Sequence, residues 1–375
     1  MRKHIQKFDK NCESFRNYDD GINTEQTRRN YHYYLDELVR FGSFSSYDEL
    51  VKLTDDQIHS LLKNWIRYGK EKGLKFKSLK TKLNSAELFF EMNKRVMYKK
   101  LLHKMLPDVG DVVGGDVPFT TEEIQSILEV ATKPRDKAII HFIASTGIRP
   151  YAIQDPVIRL KHISKMQNGC MAVKVYDQSK EGYWAFLTPE ATRFLNRYLN
   201  YRKRNGEILT DESVLFKTYK NPQTKKEHLS HESIRQMLDE LFKKAGIERT
   251  KIRNRYDKAI IYGFRKRFNG ILKMNNNINS NIAEKLMAHQ NGLDGSYFKP
   301  TRDECFKEFV KAIPELTIDP IQRKNIIINN LQDEKSVLER KIPILVEEAA
   351  QRIKEEIKRG GWVYLSQPIE AGYRQ

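Results

Sequence analysis

Apolar positions along the chain recur mostly with the period of a helix. From Thr24 to Gly42, Tyr31, Tyr34, Leu35 and Leu38 fall at helical steps, with Thr24 placed as an N-cap. A short helix is expected around Ser46–Leu53. Thr54-Asp55-Asp56-Gln57 then reads as a capping box ahead of Ile58, Leu61, Leu62, Trp65 and Ile66. Gly69 and Gly73 loosen the chain, and from Ser78 a further helix sets Leu79, Leu83, Ala86 and Phe90 on one face. Residues 1–23 are polar and are expected to be loosely ordered. Residues 1–106 thus read as a helical unit.

Residues 107–118 hold Gly110, Gly114, Gly115 and three aspartates but little that packs, the texture of a linker. Thr120-Thr121-Glu122-Glu123 is a second capping box, and Ala138, Ile139, Ile140, Phe142 and Ile143 form a buried helix stopped by Gly147. The period then changes to two. Met171–Tyr176 alternates, Tyr183–Leu187 is aromatic-rich, and Asp177–Gly182 joins them as a β-hairpin. Thr188-Pro189 opens another helix, and more follow from Ser230, around Tyr262–Lys273 and from Ser280. In the tail, Leu331, Leu338 and Leu345 recur every seven residues, but Pro343 interrupts them, so two short amphipathic helices are expected rather than a coiled coil. The fold class is mostly α with a small antiparallel β-sheet: a helical domain (1–106), a linker (107–118), an α+β domain (119–310) and a helical tail (311–375).

Composition narrows the class. Of 375 residues, 39% are hydrophobic and 10% aromatic, enough for packed cores. No apolar run approaches the ~18 residues that a membrane span needs, and the N-terminus lacks the apolar core of a signal peptide. Cys12, Cys170 and Cys305 are odd in number and scattered, which argues against a disulfide framework and for a reducing compartment. There is no phosphate-binding glycine loop, no dinucleotide fingerprint and no zinc motif, so no nucleotide cofactor, other cofactor or metal is expected.

Charge changes the picture more. Lys plus Arg number 67 against 49 Asp plus Glu, a net charge of +18 that favours a polyanionic partner. The cations crowd between Lys63 and Lys104, opposed there by Glu71, Glu87 and Glu91. Lys70, Lys72, Lys75, Lys77, Lys80 and Lys82 are the candidate nucleic-acid-binding residues. The aromatics Tyr31, Tyr33, Tyr34, Phe89 and Phe90 read as core.

In the second domain, a spaced set of cations precedes a tyrosine. Thr146-Gly147-Ile148-Arg149 ends the buried helix, Lys180 sits on the hairpin, and Tyr262-Gly263-Phe264-Arg265 lies in an apolar helix. Leu286-Met287-Ala288-His289 ends another helix, and Tyr297 follows eight positions after His289. Taken singly each has a plain reading: a solvated lysine, an arginine after a capped helix, one of 18 tyrosines with Tyr256 and Tyr262 as rivals. Together, over about residues 118–305, they resemble the tyrosine recombinase (integrase) family, which shows T-G-x-R, a hairpin lysine, H-x-x-R, L-x-[GA]-H and a nucleophilic tyrosine in this order. The segments Gln178–Tyr183 and Asp294–Pro300 look like archaeal and archaeal-virus members.

The resemblance implies a recombinase that cuts and rejoins double-stranded DNA through a 3′-phosphotyrosine link and a Holliday junction. It implies a homo-tetramer on DNA in a prokaryotic cytoplasm, with the first domain as core-binding clamp and the tail contacting a neighbouring protomer. Arg149 and Arg265 would hold the non-bridging phosphate oxygens as two bidentate forks. Lys180 would protonate the departing 5′-oxygen, His289 would serve the phosphate or the proton, and Tyr297 would attack. Two departures stand out: Tyr262 replaces the usual histidine, and Ala152 the usual acid, with Asp155 as a stand-in support for Arg149. A type IB topoisomerase or telomere resolvase would share this site, and a DNA-binding regulator on the same scaffold would lack the chemistry.

Overall fold

The computed structural model describes residues 8–108, 115–218, 227–252, 255–289 and 298–359. The chain divides into two compact units, Met1–Val112 and Val113–Gln375.

The described part of the first unit is helical: α1 (Glu13–Asp20), α2 (Glu25–Phe41), α3 (Tyr47–Lys52), α4 (Asp55–Glu71), α5 (Phe76–Met92) and α6 (Lys99–Lys104). Its caps follow from the sequence. Thr24 accepts from the Thr27 amide, and Thr54 and Gln57 make both halves of a capping box. The core runs along α2, α4 and α5 through Leu35, Leu38, Ile58, Leu62, Leu83 and Phe90. The expectation of loose order up to residue 23 is corrected by α1. Phe8, Phe15, Tyr18 and Ile22 are buried in that core, and the Tyr18 hydroxyl is 2.7 Å from Ser85 Oγ. A polar segment is held here by four apolar anchors, each contributing roughly 1.5–3 kcal/mol. The short helix α6, unforeseen because its residues are largely basic, is pinned by buried Leu102.

The second unit begins with α7 (Thr121–Val130), capped by Thr120 and Glu123, and α8 (Pro134–Thr146). Helix α8 is buried from Ala138 through Thr146 and serves as the central post. A three-stranded antiparallel sheet follows, ordered β1 (Ile163–Lys165), β2 (Met171–Val175), β3 (Tyr183–Leu187). Val173 pairs with Ala185 and Val175 with Tyr183, which fixes the expected hairpin and leaves Lys180 in its connection. Then come α9 (Pro189–Arg204), α10 (His231–Lys244), the two-residue strands β4 (Lys251–Ile252) and β5 (Arg255–Tyr256), α11 (Tyr262–Met274) and α12 (Ser280–Leu286). Helices α13 (Arg302–Leu316) and α14 (Pro320–Lys358) complete it. One core gathers around α8, and a second joins β3, α11, α12 and α13 through Phe186, Phe268, Leu286, Phe306 and Phe309.

Two expectations about the C-terminal region are corrected. The boundary placed at 310/311 falls inside α13, whose Phe306, Phe309, Ala312, Ile313 and Leu316 are buried, so this helix is part of the domain. The tail is one 39-residue helix, not two, and it continues through Pro343. Proline there removes one backbone hydrogen bond without ending the helix. Among the described residues, no helix is long and apolar enough to cross a membrane.

Candidate active site

The ends of three helices meet at one place in the second unit. Helix α8 stops because Gly147 adopts the left-handed conformation, φ 54° and ψ 23°. The Thr146 hydroxyl donates to the Phe142 carbonyl at 2.7 Å and lies 3.4 Å from the Ile148 amide, which tightens the turn. A Cβ at position 147 would lie 2.4 Å from Phe268 on α11, so glycine is required by conformation and by space alike. Past this turn the chain delivers Arg149, and its Nη2 donates to the Ala288 carbonyl at 2.7 Å.

Arg265 comes from the first turns of α11 and is buried. Its Nη1 donates to the Gly147 carbonyl at 2.7 Å and its Nη2 to the Met287 carbonyl at 2.5 Å. The same Nη2 is 3.1 Å from His289 Nε2. Two arginines and a histidine, far apart in sequence, are thus tied together through the turn after α8 and the end of α12. Burial pushes the Arg265 pKa down, and the charge of Arg149 adds to this.

Two tyrosines at the base of the hairpin close the site from the sheet side, and no motif in the sequence singles them out. Tyr176 lies close enough to Arg149 and Arg265 for their charges to act on its phenol, and Tyr183 is buried with no hydrogen-bond partner for its hydroxyl among the described residues. Burial raises both phenol pKa values, against the pull of the neighbouring guanidinium charges, so both stay protonated donors. The one sequence signal was their placement flanking the connection that carries Lys180.

Lys180 is exposed and lines a cleft of about 320 Å³ together with Lys174, Trp184, Lys285, His289 and Phe298. Lys174, on β2, lies 4.6 Å over the Trp184 ring. Tyr262 opens α11, half-exposed, one turn ahead of Arg265. Tyr297 lies outside the described residues. Ala152 is fully buried, and Asp155 is exposed. No Arg149–Asp155 ion pair occurs among the described residues, so the expected support from Asp155 is corrected: the Ala288 carbonyl holds Arg149 instead. A carboxylate does reach the site from elsewhere. Glu284 Oε2 is 2.6 Å from His289 Nδ1, and its Oε1 is 2.5 Å from Lys273 Nζ. The sequence carried no signal for it.

In the first unit, Lys70, Lys72, Lys75, Lys77 and Lys80 are exposed around the α4–α5 turn. Lys72 lies 4.3 Å over the Tyr68 ring. Lys82 differs: it pairs with Glu37 at 2.5 Å and sits against Trp65 and Tyr34.

Residues 118–293 match the phage integrase family. The chain carries a phage integrase domain. Three solved structures of the Tn1549 transposon integrase, each in complex with a circular intermediate DNA, share the fold of the chain around this integrase domain. They are 16–17% identical, with TM-scores of 0.51–0.53, and each match covers 79% of this chain and 98% of that one. No curated protein matches the sequence. The integrase domain places Arg149, Arg265 and His289 in one cluster and Lys180 on the rim of the adjoining cleft.

Proposed function

We propose that this protein is a site-specific DNA recombinase of the tyrosine class, cutting and rejoining strands through a 3′-phosphotyrosine intermediate. The observation that carries the reading is the convergence of Arg149 and Arg265 on adjacent carbonyls, those of Ala288 and Met287. Each guanidinium has five N–H donors, so both keep donors for a phosphate while their positions are already set. Attack on a phosphodiester builds charge on the non-bridging oxygens, and fixed cations in a partly buried site stabilise that charge without reorganising. Tyr176 sits at the same place as a neutral donor. Lys180, at the rim, is placed to protonate the leaving 5′-oxygen, and Tyr297 is the nucleophile by its position in the family pattern. Tyr262 can donate a hydrogen bond to phosphate.

The exposed lysines of the α4–α5 turn hold DNA through its charge, and the protein acts at paired sites as a homo-tetramer that passes through a Holliday junction. The test is trapping on nicked duplexes that carry the ends of the protein's own genetic element. Wild type is expected to leave a covalent protein–DNA adduct on a denaturing gel, and Tyr297→Phe none. An adduct that persists in Tyr297→Phe overturns the assignment. Exchange between two labelled duplexes separates a recombinase from a topoisomerase, which would relax supercoils without exchange.

A further inference from the structure

His289 contacts groups of opposite demand. Its Nε2 lies 3.1 Å from Arg265 Nη2, and its Nδ1 lies 2.6 Å from Glu284 Oε2. A guanidinium has only donors, and an ionised carboxylate only acceptors. The two contacts are satisfied together in a single neutral form of the ring, with hydrogen on Nδ1 and a bare lone pair on Nε2. Were the hydrogen on Nε2, two donors would face each other and Nδ1 would face a carboxylate with nothing to give.

The carboxylate is well placed to impose this. Glu284 sits on α12, and its other oxygen meets Lys273 of α11 at 2.5 Å. The Lys273 ammonium, and then the hydrogen bond from His289, hold the Glu284 pKa below the ordinary range, so it stays an acceptor. The turn between the two residues is also shaped for the pair. Ala288 takes φ 51°, and the His289 amide donates to the Glu284 carbonyl at 2.9 Å, which folds the chain back so that side chains five positions apart meet. A plain helix would not bring them together, since it pairs positions three and four apart. Position 152, where the family pattern carries an acid, is a buried alanine.

We propose that Glu284 is a positioning residue that fixes His289 as a hydrogen-bond acceptor at Nε2, turned toward Arg265 and the phosphate site. It supplies from α12 the negative charge that this chain lacks after its first arginine. The functional consequence rests on the recombinase reading: an acceptor held at Nε2 keeps the Arg265 guanidinium in place beside the phosphate during strand cleavage.

The experiment uses the full-length chain. Imidazole ¹⁵N spectra near pH 8 report which ring nitrogen carries hydrogen, with His289 assigned by the spectrum of His289→Ala. Wild type is expected to show hydrogen on Nδ1. Glu284→Gln keeps an acceptor oxygen and should preserve that form, whereas Glu284→Met keeps the length without a comparable acceptor and should lose it. Hydrogen on Nε2 in wild type, or an unchanged ring in Glu284→Met, overturns the proposal. This contrast stands even if either variant is less stable, because a merely structural role would not separate Gln from Met by the ring's tautomer. On nicked duplexes that wild type cleaves, Glu284→Met should slow adduct formation about tenfold or more, the range lost when an orienting partner is removed, and Glu284→Gln much less. Equal cleavage by wild type and Glu284→Met overturns the positioning role. Absence of any wild-type adduct would instead count against the recombinase reading while the spectra still decide the tautomer.

Discussion

Arg149 donates from Nη2 to the carbonyl of Ala288, 139 positions later in the chain, at 2.7 Å. Arg265 donates to the neighbouring carbonyl of Met287. The end of α12 therefore acts as a jig that sets both cations before any phosphate arrives, and the first prediction follows from it. Arg149→Ala or Arg265→Ala should reduce covalent adduct formation at least about 100-fold, the scale for losing one fixed stabilising group. DNA affinity, measured by gel shift, should change little if the exposed lysines of the first unit carry the bulk phosphate contacts, as proposed. A loss of affinity as large as the loss of cleavage would show that the pair serves binding instead.

Gly147 makes a separate prediction. A methyl group there meets Phe268 at 2.4 Å and must accept a positive φ. Gly147→Ala should cost about 2–4 kcal/mol, combining the left-handed penalty with overpacking. Urea unfolding measures this, and a variant as stable as wild type would contradict it. Cleavage should suffer too, since the Gly147 carbonyl holds Arg265.

The basic run divides in two. Replacing Lys70, Lys72, Lys75, Lys77 and Lys80 by Gln should weaken DNA binding and flatten its salt dependence by about 0.9 in slope for each phosphate that is no longer neutralised. Lys82→Ala should leave the slope alone and instead cost about 1 kcal/mol of stability, because its ammonium is committed to Glu37, Trp65 and Tyr34. A salt titration that ranks Lys82 with the others would refute the division.

His141 should make the second unit acid-sensitive. The ring is buried on α8 and stacked on Phe194 at 4.0 Å. Burial, helped by the charges of Arg193 and Lys137, pulls its pKa down to about 3. The unfolded chain takes up that proton near pH 6.5, the folded one only near 3, so stability is full above 6.5 and falls as pH drops toward 3. The slope approaches roughly 1.4 kcal/mol per pH unit. His141→Phe keeps the stack and should narrow the difference in unfolding free energy between about pH 6.5 and 5. An unchanged difference would count against the histidine.

Much of this molecule was legible because its signals are local. The boxes Thr54–Gln57 and Thr120–Glu123 both form, since a cap needs only neighbours three residues apart. The hairpin follows from a period of two, and the turn at Gly147 from the glycine that must end α8 there. What stayed hidden depends on distant partners. Helix α1 orders because Phe15 and Tyr18 reach Tyr47 and Phe89, rings that no local pattern connects to them. Lys82 is indistinguishable in sequence from its basic neighbours, and only the fold sets Glu37 beside it. The site's arginines could be named from motif order, but the carbonyls of Met287 and Ala288 that hold them, and the approach of His289 to Glu284 on α12, depend on a turn in which Ala288 takes a positive φ.

Helix α14 leaves the domain after its opening turns, where Ile326 still touches the core, and from there on no residue is buried. A rod of 39 residues spans about 58 Å at 1.5 Å per residue. Its persistence is set by its own composition and not by the domain it leaves. Melting of the rod should therefore separate from melting of the domain, and a protease that cuts beside Arg340 or Lys341 should release the outer half without disturbing the grip of the two arginines.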